Sequence, residues 1–200
     1  MKLYEKGLFQ RNKKFFAIAL FLFAASFLMG AAVSYQNIGD QYGMVTKTVS
    51  HMVANNQPVL EGIAEMDTIA FFYHNMVADF IAIAGGFLFS VISVWSVMYN
   101  AFLIGSPFGS DFTFAALSIL PHGIIEYSAS VISLVVAFNI TKLEIDMIKN
   151  RSFKRILLEN KTRLKDILLL TIIVVILLAI AAFIECNITG RIVYWYFGIS

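Results

Sequence analysis

Charged side chains are scarce in this chain of 200 residues. Asp, Glu, Lys and Arg make up 14% of it and hydrophobic residues 59%, whereas about a quarter of the residues of a soluble domain are charged. The mean hydropathy is correspondingly high, at +0.77. This shortage of charge excludes a soluble globular protein, and we predict an all-α integral membrane protein.

Cysteine is nearly absent as well. The single cysteine, Cys186, has no second cysteine with which to form an internal disulfide. No paired cysteine or histidine spacing indicates a structural zinc site. Because most of the chain is needed for membrane spans, we expect a single integral membrane domain over residues 1–200 and no separate soluble domain.

Five stretches are long and apolar enough to be transmembrane helices, since a helix needs about 20 mostly apolar residues to cross the hydrocarbon. Within residues 68–110 the only acidic, basic or histidine side chains are His74 and Asp79, and one helix over that stretch would be about 65 Å long. We therefore divide it into two spans with a junction near residues 85–90. Pro121, a residue tolerated in the first turn of a helix, is predicted to set the start of the fourth span. The predicted spans are 15–34, 69–88, 91–108, 115–140 and 167–187.

The distribution of lysine and arginine predicts the orientation, because short loops rich in these residues stay in the cytoplasm. Residues 1–14 carry five of them and residues 141–166 carry eight, whereas the charged residues within 36–67 are mainly acidic. We expect a multi-pass protein of the cell membrane with a cytoplasmic N-terminus and an extracytoplasmic C-terminus. A cleaved signal peptide is the alternative for the N-terminus, although the first apolar run is longer than the about 7–15 residues of such a region.

Two connecting segments are predicted to contain amphipathic helices. Val45, Val49 and Met52 form an apolar stripe within residues 45–53. Residues 153–164 carry a second stripe with lysines and arginines beside it. This pattern indicates a basic helix at the lipid headgroups.

Polar side chains inside the spans are predicted to meet at one depth. His122 and Glu126 are four residues apart and share one face of a helix. In the predicted topology the polar residues of the other spans fall in the same outer half of the membrane, and the inner half is nearly bare of them. Ionisable groups at membrane depth face protein or water and mark a site. We therefore predict one intramembrane cluster that opens to the outside: His74, Asn75, Asp79, Asn100, His122, Glu126 and Glu185.

Three kinds of chemistry suit such a cluster. The favoured one is a structural network in which the polar groups pair and hold the helices together. Movement of protons or ions along the carboxylates is the second. The third is a zinc site, for which a lone His-x-x-x-Glu pair is a weak signal because it lacks the second histidine of a metalloprotease helix. Its candidate ligands are His74, His122, Glu126 and Glu185. Beyond this metal we expect no cofactor, and we assign no catalytic residue.

Small residues at helical spacing predict close helix packing. Two such stripes are Ser90, Ser93 and Ser96, and Ala129, Ser133 and Ala137. Packing within the chain is the favoured interpretation, and a homodimer interface is the alternative. Gly105 and Gly109 have the GxxxG spacing too, but Pro107 between them predicts a connector.

The most distinctive blocks of the chain are residues 121–129, Pro-His-Gly-Ile-Ile-Glu-Tyr-Ser-Ala, and residues 181–189, which contain Glu185. Together with residues 71–75, 86–89 and 99–105, they resemble the signature blocks of the stage II sporulation protein M family. His74, Ala101 and Tyr127-Ser128 replace residues usual in that family. The resemblance implies a polytopic membrane protein. The member of the family that acts in sporulation works with two cell-wall-remodelling partners and anchors or localises them.

We therefore expect a non-enzymatic scaffold or assembly component that positions partner proteins at the membrane. Its expected partners are membrane lipids and other membrane or cell-envelope proteins, with a second copy of the chain as a possible one and no nucleic acid. The alternative is a transporter or channel-like permease in which His122, Glu126 and Glu185 bind an ion or shuttle protons. A scaffold requires a sealed cluster, whereas a permease requires a cavity with access to both sides.

Overall fold

The computed structural model describes residues 7–36 and 68–197, and every regular element in these ranges is helical. Five of the helices are long and apolar enough to cross a membrane, which confirms the prediction of an all-α protein with about five such helices. The predicted amphipathic helix at 45–53 lies outside the described residues. The helices are α1 (Leu8–Gln36), α2 (Thr68–Ala84), α3 (Val91–Ser110), α4 (Phe112–Asn150), α5 (Phe153–Glu159), α6 (Lys161–Ile184) and α7 (Gly190–Phe197).

The helix α4 is the central element of the bundle. It has 39 residues, which is about 58 Å at 1.5 Å per residue, and it packs against α1, α2, α3 and α6. Its middle turns are fully enclosed, with Leu134, Val135 and Val136 at 0% exposure. Side chains of α6 cover one side of these turns, and Val174 and Leu178 are buried there as well.

The start of α4 differs from the prediction. Pro121 lies in the interior of the helix rather than in its first turn, so the assignment of the helix start to Pro121 is wrong. The start is set by Asp111, whose side chain accepts a 3.0 Å hydrogen bond from the backbone N–H of Phe114. An aspartate in this position satisfies one of the free N–H groups of a first turn.

Glycine contacts join α1 to α3, and the two helices run in the same direction. A Cβ on any of three glycines would overlap a backbone carbonyl oxygen of the facing helix: Gly30 against Phe102, Gly105 against Phe27, and Gly109 against Ala31. The interpretation of Gly105 and Gly109 as part of a connector is therefore wrong, because both lie within α3 and pack against α1. Their spacing has its usual role of letting two backbones approach, here within one chain.

The connection between α2 and α3 runs through Gly85–Leu88, a short 3₁₀ helix, followed by two residues in the left-handed region. These residues are Phe89 and Ser90, with φ of 52° and 57°. Thr141 of α4 holds the connection, because its hydroxyl donates a 2.8 Å hydrogen bond to the carbonyl of Gly86 and lies 2.6 Å from the hydroxyl of Ser90. These hydrogen bonds hold the turn in place without a charged residue.

The two ends of the bundle differ in charge. The end at which α1 begins and α6 begins carries Arg11, Lys142 and Arg163, and we name it the basic end. The opposite end, where α3 passes into α4 at Asp111, is named the far end. At the basic end the predicted helix over 153–164 is in fact two helices, because α5 ends at Glu159 and α6 begins at Lys161.

The two stripes of small residues are used inside the chain. Ser90 and Ser93 are at most 3% exposed, and Ser133 and Ala137 are at 0%. Packing within the chain is therefore the role that these positions have. Ser96, the third serine of the first stripe, is only half-buried, and the homodimer stays a prediction.

Candidate functional site

Three of the seven predicted cluster residues come together near the far end. One ligand-type atom of each of His122, Glu126 and Glu185 lies within 4.8 Å of the others. His122 and Glu126 lie one turn apart on α4, and Glu185 directly follows α6. The group therefore connects α4 to the residue that directly follows α6.

His122 is the best enclosed member of the group, at 8% exposure. Its Nδ1 lies 3.1 Å from the hydroxyl oxygen of Thr189, which is a hydrogen bond. On the other side of the ring, Nε2 lies 3.7 Å from Oε1 of Glu185. The imidazole is thus held at one nitrogen and faces a carboxylate with the other.

A π-helical turn brings Glu185 and Thr189 to the same histidine. Residues Glu185–Thr189 form this turn between α6 and α7. A π turn contains more than four residues, because its hydrogen bonds run from i to i+5. Residues four apart therefore lie almost above one another, and both reach His122. π turns of this kind occur frequently at functional sites.

Asp79 extends the cluster toward the basic end. Its side chain is 4% exposed. It hydrogen-bonds with the hydroxyl of Ser130 and lies beside Ser133, both on α4. Its carboxylate is close enough to Glu126 for the two charges to interact. Acidic side chains from α2, α4 and the end of α6 thus form one continuous electrostatic group.

The remaining predicted members are less buried than His122 and Asp79. The side chain of His74 is exposed on α2, and Asn75 and Asn100 are half-buried. His74 does not belong to the set of ligand-type atoms around His122. A depth argument places residues at a level along the membrane normal, but it does not say which face of the helix they occupy.

A second buried polar network lies at the basic end, and sequence reasoning missed it. The guanidinium of Arg11 donates two hydrogen bonds to Asp166, of 3.0 and 2.6 Å. Asn12 donates a 3.1 Å hydrogen bond to the same carboxylate and accepts one of 2.8 Å from Asn139. The expectation of an inner half nearly bare of polar groups is therefore wrong. Asn139, an amide in an otherwise apolar run, was the available signal.

Apolar packing separates the cluster from this network. Glu126 and Asn139 are 13 positions apart on α4, which is about 20 Å along the helix. Leu134 and Val135 lie in this interval at 0% exposure, next to the buried serines Ser130 and Ser133. Beside them the backbone of Gly86 packs so closely on Ala137 that a Cβ would lie 2.8 Å from its carbonyl oxygen. The seam between α2 and α4 is thus closed below Asp79.

Five apolar helices and a partly buried His–Glu cluster define a multi-pass α-helical membrane protein. The chain belongs to the stage II sporulation protein M family, whose family model matches residues 19–190. It is 30% identical over 181 residues to an uncharacterized protein of Methanocaldococcus jannaschii, with 88% of this chain and 93% of the relative covered. No solved structure matches the chain.

Proposed function

We propose that this protein is a non-enzymatic scaffold of the cell membrane, one that positions partner membrane or cell-envelope proteins. The observation that carries the proposal is the closed layer between Glu126 and Asn139, where Leu134 and Val135 are fully buried. A permease needs an aqueous route past this level in at least one state, whereas a scaffold needs a rigid, sealed bundle. Charged groups in such a bundle serve to hold helices in register.

The orientation in the membrane is part of the proposal. Arg11 at the start of α1 lies at the same end of the bundle as Asp166 at the start of α6, because the two side chains are hydrogen-bonded. The basic residues of 141–166 are therefore on the same side as the N-terminus. Lysine and arginine favour the cytoplasmic side. This supports a cytoplasmic basic end, and five crossings then put the C-terminus outside.

The first test is transport. The purified chain is reconstituted into proteoliposomes that contain a pH-sensitive dye, and a proton gradient or a salt gradient is imposed. We expect the same leak as in protein-free liposomes, for the wild type and for Glu126→Gln alike. A flux that the wild type carries and Glu126→Gln loses overturns the scaffold proposal and supports the permease.

The second test is partner positioning. A photo-crosslinking amino acid is placed on the exposed face of α3, at Trp95 or Tyr99, whose rings stack 6.4 Å apart at the surface. The matched control carries the crosslinker at buried Val97. We expect an envelope protein to be trapped from the exposed positions alone and to lose its normal distribution in cells without this chain. An unchanged distribution of every trapped protein contradicts the proposal.

A further inference from the structure

We propose that His122, Glu126 and Glu185 form a binding site for one divalent transition-metal ion of the zinc type. Imidazole nitrogen and carboxylate oxygen are both ligands that zinc takes in proteins. One such atom from each side chain lies within 4.8 Å of the other two. The inference does not depend on the scaffold function, because a bound ion can brace a scaffold or serve another role.

The spacing of the ligand atoms fits an ion better than a direct contact. His122 Nε2 and Glu185 Oε1 are 3.7 Å apart, which is longer than the about 2.7–3.2 Å of a hydrogen bond. Two ligands about 2.1 Å from one zinc ion at the tetrahedral angle are about 3.4 Å apart. A shift of a few tenths of an ångström brings the pair to that distance.

Thr189 supplies a second, independent observation. Its hydroxyl donates a 3.4 Å hydrogen bond to the carbonyl of Ile184, so its oxygen is free to accept one from Nδ1–H of His122 at 3.1 Å. This tautomer leaves the lone pair on Nε2, the nitrogen that faces Glu185. Metal-binding histidines typically donate their other N–H to an oxygen acceptor in this way.

Electrostatics also favour a cation here. Glu126 and Glu185 interact with each other, and Asp79 interacts with Glu126. In the described part of the chain, every lysine and arginine except Arg191 lies at the basic end. That end is about 20 Å or more from the three side chains, measured along α4. A divalent ion neutralises two carboxylates at once. The Glu185 side chain is 22% exposed, so the group reaches the surface of the bundle.

The donor set selects among metals. Calcium takes about six to eight oxygen ligands, more than two carboxylates provide, and gains little from an imidazole. Imidazole with carboxylate suits zinc and its transition-metal neighbours. Three protein ligands leave the fourth position of a tetrahedral zinc ion for water.

The test is metal binding by the full chain in lipid nanodiscs, after stripping with a chelator that is then removed. Zinc is titrated at neutral pH against a chromophoric zinc indicator. We expect one zinc per chain, undisturbed by an equal concentration of calcium. We expect Glu126→Gln and Glu185→Gln each to weaken binding more than about 100-fold, and Thr189→Val about 10–100-fold.

The matched control is His74→Ala, which removes an exposed histidine outside the group and should leave the affinity unchanged. Cobalt provides a readout independent of affinity, because its visible absorption in the wild type reports nitrogen and oxygen ligation and should change in His122→Ala. If a glutamate variant fails to fold, the wild-type stoichiometry, the cobalt spectrum and Thr189→Val decide the matter. The proposal is overturned by substoichiometric zinc in the wild type, by binding that survives both glutamate changes, or by loss in His74→Ala. None of these results bears on the flux experiment.

Discussion

The side-chain amide of Asn139 on α4 donates a 2.8 Å hydrogen bond to Oδ1 of Asn12 on α1. Asn12 in turn donates a hydrogen bond to the carboxylate of Asp166 on α6. One buried amide therefore links three helices that are far apart in sequence. Both asparagines are 2% exposed, so water cannot replace the partners that they give each other.

Replacing Asn12 by alanine should lower the free energy of unfolding by about 1–3 kcal/mol, because one N–H of the Asn139 amide and part of the Asp166 carboxylate lose their buried partner. Asn139 then keeps its hydrogen bond to the carbonyl of Val135. Reversible unfolding in mixed detergent micelles, followed by circular dichroism, measures the change. The control is Asn150→Ala, since Asn150 is exposed and its amide donates to the carbonyl of Asp146 in its own helix. That change should stay within about 0.5 kcal/mol. Equal losses for the two variants would remove the special role of Asn12.

Gly105→Ala should destabilise the bundle, because the new Cβ would overlap the carbonyl oxygen of Phe27 on α1. Forcing extra atoms into a packed contact costs about 1–3 kcal/mol or more, which outweighs the better helix propensity of alanine. Gly190→Ala is the control, since no atom lies within 4 Å of a Cβ there. The midpoint of thermal unfolding should fall for Gly105→Ala and hold or rise for Gly190→Ala. A stable Gly105→Ala would show that α1 can move away from α3 at little cost.

Thr141→Val tests the hydrogen bonds that hold the connection between α2 and α3 to α4. Valine keeps the shape but cannot bond to Gly86 or Ser90, and we expect a loss of about 1–2 kcal/mol. The same change at Thr171, whose hydroxyl donates to the carbonyl of Ile167 in its own helix, should cost much less. Protease cleavage within residues 85–90 provides a local readout, and it should increase in the first variant only. Matching effects at both threonines would contradict this role of the hydrogen bonds.

His122→Ala and Glu126→Ala should not be additive in their effects on unfolding. Each removes a member of one buried group, and we expect about 1–3 kcal/mol for Glu126→Ala. Residues in one network show interaction energies of about 0.5–3 kcal/mol, so the double variant should be little worse than the worse single one. His74→Ala combined with Glu126→Ala is the matched control and should be additive. Additivity in the first pair would mean that His122 and Glu126 act separately.

The number of long helices followed from the sequence because hydrophobic length is a one-dimensional property: a run of apolar residues either is or is not long enough to cross a bilayer. Helix ends were harder to predict. Pro121 looked like a first-turn residue, but Asp111 caps the helix ten residues earlier, and proline is accepted in the interior of α4. The partners of Arg11 and Asp166 were not predictable, because each residue also fits a simple basic or acidic position at the headgroups.

Composition and charge pattern by themselves determined that this protein is helical, polytopic and rich in polar groups around His122 and Glu126, since these features depend on residue type and spacing along one helix. Only the tertiary structure decided which polar groups meet. It selected Glu185 and Thr189 through a π turn and left His74 at the surface. It also joined Arg11 and Asn12 to Asp166, and Asn139 to Asn12. The physical reason is that rotation about a helix axis sets which face a residue occupies, and packing between helices distant in sequence sets that rotation.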